Sequence, residues 1–128
     1  MALPIVHESD IEALDLPGRM LRWVVTKETT GAEHCSVAMI EVQPGQKVRP
    51  AHSHPHGEEV IYLVSGSGRV WIDGEIGEVR TGSMVLFPQG KPHMLQNTSD
   101  EVMKVVCFFA PATSLDNYQM FEGLGFQD

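Results

Sequence analysis

The chain has 128 residues, 42% of them hydrophobic, with a formal charge of −8 and two cysteines. That length and apolar content suit a single domain with one core over residues 1–128. The acidic balance, with no Lys/Arg cluster to offset it, disfavours phosphate backbones and anionic bilayers, so neither a nucleic-acid nor a membrane partner is expected.

The opening MALPIVHESD has no basic flank and no long apolar run, and no later stretch is long enough to span a bilayer. A cytoplasmic protein without a signal peptide is therefore expected. Residues 7–14 suit a short helix capped by Ser9 or Asp10 and ended by Pro17-Gly18. Residues 20–29 are β-branched and aromatic and read as a strand before the turn at Thr30-Gly31. A second strand over 34–42 stops at Pro44-Gly45. Further strands are expected over 59–64, 69–72, 78–80, 83–87, 93–96 and 102–109, and Asp73-Gly74 marks a hairpin turn. Pro111 ends the last strand. The tail, residues 114–128, suits a helical turn at 117–121, with Tyr118, Phe121 and Phe126 packing on the barrel or on a partner subunit. Regular short strands with Gly/Pro turns indicate an all-β barrel or sandwich. Cys35 and Cys107 fall in separate strand-like segments and are expected to be buried free thiols.

Three of the six histidines, His52, His54 and His56, lie in PAHSHPHGEE. On an extended chain, residues two apart share a face, so His52 and His54 point the same way. Imidazole and carboxylate are ligands for divalent transition metals. Glu58 and Glu59 are adjacent, so only one of them can reach the same side. His93, in GKPHMLQN, offers a fourth ligand on a segment stiffened by Pro88 and Pro92. An isolated H-x-H pair is as well explained by solvated histidines, and His93 alone by a hydrogen-bonded core histidine.

Gly45, His52, His54, Glu59 and Gly66, followed by Gly82, Pro88, Gly90, His93 and Asn97, resemble the two motifs of the cupin superfamily. The second set matches G-x5-P-x-G-x2-H-x3-N at every position, and together the motifs cover residues 45–66 and 82–97. One departure is the six residues between Gly45 and His52, where the motif has five. The resemblance implies a double-stranded β-helix, the jelly-roll barrel of RmlC-like proteins. It also implies a divalent metal (Mn, Fe, Ni, Co, Cu or Zn) held by His52, His54, Glu59 and His93, with ligand distances of about 2.0–2.2 Å. The spacing to Gly66 favours Glu59. Glu58 then faces away and pairs with a basic residue, and His56 sits at the pocket mouth. A homodimer is implied as well, with residues 20–29 and the Phe-rich tail as candidate interface elements.

Ile61 and Leu63 share the face of Glu59, and Leu95 that of His93, which makes a dry surround. Arg49, Tyr62 and Lys91 are candidate substrate contacts, and Arg49 or Lys91 suits a carboxylate or carbonyl group. Met39, Met84 and Met103 read as core filling, Trp23 and Trp71 as core or interface, and Asn97 and Gly66 as turn and packing positions. No P-loop, G-x-S-x-G or dinucleotide fingerprint occurs, so no organic cofactor is expected. The expected function is a small metalloenzyme, a dioxygenase or isomerase, that activates an oxygen-bearing small-molecule substrate, with Glu59 as a catalytic base when it leaves the metal. The alternative is a non-catalytic module that binds a carbohydrate or small acid through its metal.

Overall fold

The computed structural model describes residues 3–128. The reading of the N-terminus as free of a signal peptide rests in part on residues 1 and 2, which lie outside the described residues. In chain order the strands are β1 (Leu14–Leu16), β2 (Arg19–Val25), β3 (Ser36–Val42), β4 (Ala51–Ser53), β5 (Glu58–Ser65), β6 (Ser67–Ile72), β7 (Glu75–Arg80), β8 (Met84–Phe87), β9 (His93–Asn97), β10 (Met103–Ala110) and β11 (Gln119–Phe121). They form two antiparallel sheets, one ordered β1-β2-β3-β10-β5-β8 and the other β11-β4-β9-β6-β7. This is the all-β architecture that the strand spacing predicts, in the jelly-roll form that the resemblance implies.

The alternation of side chains explains why the sheets close on each other. Along β3 buried and half-buried residues alternate without a break. On β5, Glu59, Ile61 and Leu63 point inward while Glu58, Tyr62 and Val64 point to solvent. The inward faces meet in one core, in which Ile61, Leu63 and Val105 from the first sheet pack with Val70 and Leu95 from the second. Burying each such aliphatic side chain is worth about 1.5–3 kcal/mol. A smaller cluster of Ala51, Trp71 and Met94, covered by Phe121 and Phe126, seals the outer side of the second sheet. The tail thus packs on its own barrel.

Two motif residues are fixed by close packing. At Gly66 the backbone has φ +106, and a Cβ would come within 2.9 Å of the Met103 Cα, so only glycine lets β5 turn into β6 against β10. Asn97 is fully buried, and its amide donates to the Val42 and Glu101 carbonyls at 2.9 and 2.6 Å.

Several local expectations are corrected. Of the helix expected over 7–14, only a 3-10 turn at Glu8–Asp10 forms; His7 caps it, and Leu14 already belongs to β1. Leu14–Leu16 pairs with β2, and that pairing overrides local helix preference. The strand expected to reach residue 29 ends at Val25, because Thr26 and Thr29 form a reciprocal capping box on the short helix Lys27–Thr30 (α1). Cys35 precedes β3 and is half-buried, whereas Cys107 is buried; both are free. In the tail the helical turn lies at Leu115–Asn117, and Gln119–Phe121 is a strand drawn into the β4 ladder. Met84 is 71% exposed on the outer face of β8, so it does not fill the core as Met103 does. Glu58 faces away from the core as expected, but it has no ion-pair partner among the described residues. Among the described residues no helix is long and apolar enough to cross a membrane.

Candidate metal centre

His52 on β4 and His93 on β9 are partners across an antiparallel pair, so their side chains rise on the same face of the second sheet. His54 follows β4 by one residue and shares that parity. Glu59 comes from the opposite sheet, where β5 runs between β10 and β8 and places it beside Phe109 and Phe87. The extra residue before His52 is taken up in the loop that ends at Pro50, before β4 begins, so it does not shift the ligand parity. Gly90 N donates to the His54 carbonyl at 3.1 Å, which ties the loop carrying the second motif to the H-x-H segment. This contact depends on a turn with φ +75 at Gly90.

The four side chains are all buried, and one ligand atom from each lies within 4.8 Å of the others. Opposed ligands about 2.0–2.2 Å from one ion would sit about 4.0–4.4 Å apart, so the cluster is close to the size of a coordination sphere. Two backbone carbonyls orient the imidazoles. His52 Nδ1 pairs with Pro50 O at 3.2 Å, and His93 Nδ1 with Lys91 O at 3.4 Å. A carbonyl only accepts, so each Nδ1 carries the proton and each Nε2 presents a lone pair to the cluster. His93 Nε2 then stands 3.2 Å from Glu59 Oε1 and has no hydrogen-bond partner; His54 Nδ1 is likewise buried without one. Glu59 Oε1 pairs with His54 Nε2 at 2.9 Å, so the buried atoms left for a bound cation to satisfy are His93 Nε2 and His54 Nδ1. The donor set of three imidazoles and a carboxylate therefore fits a divalent metal.

The electrostatics agree. Burial is the largest influence on Glu59 and raises its pKa, but the adjacent imidazoles, His54 first and then His93, outweigh it and hold the carboxyl well below the usual range. Burial is the main cause that lowers His52 to about 3, so its ring is neutral at ordinary pH and free to ligate. Aromatic rings fix the imidazoles from outside. Phe87 stacks on His93 at 3.9 Å and Tyr118 on His52 at 4.8 Å, and Phe109 meets His54 edge-on at 5.0 Å.

The other sequence candidates lie elsewhere. Arg49 is exposed and turns its Nε to the Lys47 carbonyl. Lys91 is exposed and pairs with Asp73 at 3.4 Å. Tyr62 stands on the outer face of β5, and His56 is exposed outside the cluster. In their place, Arg19, Cys107 and Tyr118 line the cavity beside His52, Glu59 and His93. Sequence reasoning passed over Arg19, although a charged residue sharing strand parity with the core residue Leu21 was a signal that it points inward. Burial lowers the Arg19 pKa and raises those of Cys107 and Tyr118, so the thiol and phenol stay neutral.

A family model described as "Cupin domain" matches residues 38–109. The chain is similar to "Polyketide synthase CurC" of Streptomyces cyaneus, with 30% identity over 107 residues, 84% of this chain and 69% of that protein. Among solved structures it is similar to oxalate decarboxylase from Bacillus subtilis, with a TM-score of 0.81 and 25% identity, covering 94% of this chain. This chain spans only 33% of that one. It also resembles Streptomyces PAC13 with uridine, with a TM-score of 0.74 and 16% identity, covering 94% of this chain and 92% of that one. At that identity the likeness concerns the fold alone.

Proposed function

The chain belongs to the cupin domain family, and from that premise we propose that it is a small metalloenzyme acting on an oxygen-bearing small molecule, of dioxygenase or isomerase type. In this reading residues 1–128 act as one domain, and His52, His54, Glu59 and His93 hold one divalent transition metal. The observation that carries it is the convergence of four buried ligand atoms within 4.8 Å of one another, with His93 Nε2 unpartnered 3.2 Å from Glu59 Oε1.

When bound, such an ion supplies Lewis-acid polarisation of a carbonyl, carboxylate or enolate oxygen. The chain's own groups set the surroundings. The Pro50 and Lys91 carbonyls keep His52 and His93 in the tautomer that presents Nε2. Glu59 contributes negative charge, and its depressed pKa makes it a better ligand than base, so proton acceptance by Glu59 is a minor role. Phe87, Phe109 and Ile61 exclude water from the cavity, which strengthens the electrostatics inside it.

Metal analysis of untagged protein, followed by oxygen-uptake and isomerisation assays on catechols, flavonols, keto acids and sugar phosphates, tests the reading. Turnover that depends on stoichiometric metal and disappears in His93→Ala supports it. Tight ligand binding without turnover points instead to a metal-dependent binding module, and protein that takes up no divalent metal refutes both.

The reading includes a homodimer. Tyr62, Met84, Leu86 and Phe108 are exposed on neighbouring outward positions of β5, β8 and β10, and covering them would remove apolar surface from water. Light scattering is expected to give twice the chain mass of 14.1 kDa.

A further inference from the structure

The cavity beside the four-residue cluster holds a second charged group. Arg19, at the start of β2, is 8% exposed. It lines the same cavity as His52, Glu59 and Tyr118. Its five N–H groups are unequally used. Nη1 donates to the carbonyls of Pro17 at 3.2 Å and Arg49 at 3.1 Å, while Nε and Nη2 have no hydrogen-bond partner among the described residues. No carboxylate among those residues lies within ion-pair distance of it; Glu59, the acid in the same cavity, is turned to His54 and His93.

A buried guanidinium without an acidic partner is destabilising unless something else compensates it. Here two carbonyls hold the group still and leave its Nε–Nη2 edge free. That edge carries two parallel N–H groups whose spacing matches the two oxygens of a carboxylate. We propose that Arg19 is an anion-binding residue of the cavity and that the molecule taken there is a small carboxylic acid, its carboxylate held by the Nε–Nη2 edge beside the four-residue cluster.

The charge count supports this and rests on the reading of the cluster as a metal site. Three neutral imidazoles and one carboxylate around a divalent ion leave one positive charge, and Arg19 adds a second. The remaining lining is largely apolar, with Leu21, Ile40 and Val48 nearby. An anion entering this space pays a desolvation cost, which pairing with two positive groups offsets. The free volume of about 30 Å³ admits a group of only a few atoms, so the acid held there is small. A longer acid has to reach past Tyr118, which stacks on His52.

The test uses the full chain loaded with zinc, with sodium acetate as probe and acetamide as its uncharged counterpart of the same shape. In protein carrying ¹⁵N-arginine, the Arg19 Nε–H resonance, assigned by its loss in Arg19→Lys, is expected to shift on addition of acetate and not of acetamide. By calorimetry Arg19→Gln is expected to bind acetate about tenfold more weakly, with unchanged zinc content. An unmoved Arg19 signal, or wild-type acetate affinity in a folded Arg19→Gln protein, overturns the assignment. The resonance is read in the wild-type chain, so it decides the matter even if Arg19→Gln does not fold. Repeating the titration on metal-free protein separates the two readings. Failure of the chain to hold zinc strikes the metal site, whereas zinc bound with an unresponsive Arg19 strikes this inference alone.

Discussion

The ring of Phe87 lies flat on that of His93, with centroids 3.9 Å apart and planes 2° from parallel. The residues come from different sheets, β8 and β9, so the stack is a tertiary contact that fixes the angle of the His93 ring in the cluster. The Lys91 carbonyl holds the same ring at Nδ1. Groups that orient a ligand from outside commonly contribute about 10–100-fold to metal affinity.

Phe87→Leu keeps apolar bulk and removes the stack. It is expected to weaken divalent metal binding about tenfold, as read by competition with a chromogenic chelator, while the strand content seen by circular dichroism stays unchanged. Wild-type metal affinity in this variant would show that the Lys91 carbonyl alone orients His93.

Glu59→Gln preserves shape and removes the one negative charge of the ligand set. Zinc or manganese content after dialysis is expected to fall well below one ion per chain, and the same is expected of His93→Ala. Full metal occupancy in Glu59→Gln would place the ion elsewhere.

The stability of the metal-free protein is expected to fall with acid in a defined window. His52 titrates near 6.5 when unfolded and at about 3 when folded. Between those values the unfolded chain binds the extra proton, so unfolding becomes easier as pH falls from about 6.5 towards 3. Glu59, whose folded pKa is also depressed, adds a loss of the same sign as pH falls below its unfolded value of about 4.5. Urea midpoints at pH 7.5, 5.5 and 4.5 check this. His52→Gln is expected to flatten the decline between the first two, and an equal slope in both proteins would contradict it.

Strand parity on β5 makes a paired prediction. Leu63 is fully buried, and Leu63→Ala is expected to cost about 2–5 kcal/mol of unfolding free energy. Tyr62 is its immediate neighbour and 38% exposed, so Tyr62→Ala is expected to cost much less, about 1 kcal/mol. Denaturant titration of both variants measures the contrast, and equal costs would contradict the inward–outward assignment.

Opening the cavity is expected to speed exchange. Tyr118→Ala leaves the four ligands in place but removes the ring stacked on His52. Metal transfer to excess chelator, followed in a stopped-flow experiment, is expected to be faster in this variant. An unchanged rate would mean that the ion leaves by another route.

Most of the strands and the four clustered residues were legible in the sequence. Side chains repeat every two residues on a pleated chain, so His52 and His54 share a face and only one of Glu58 and Glu59 turns inward; the choice of Glu59 and the addition of His93 rest on the resemblance to the cupin motifs. The turn role of Gly66 and the packing role of Asn97 were legible as well. Local pattern failed where pairing with a distant strand outweighed intrinsic preference, as at Leu14–Leu16 and Gln119–Phe121. The cavity lining was decided only by tertiary structure. Arg49 and Lys91 are close to the motifs in sequence yet stand outside the cavity, while Arg19 reaches it from a strand that carries no motif. At Arg49 it is the carbonyl that serves the cavity, by fixing Arg19. Proximity along the chain indicates which residues share a loop. Which side chains face one another across a barrel is decided by how the two sheets pack.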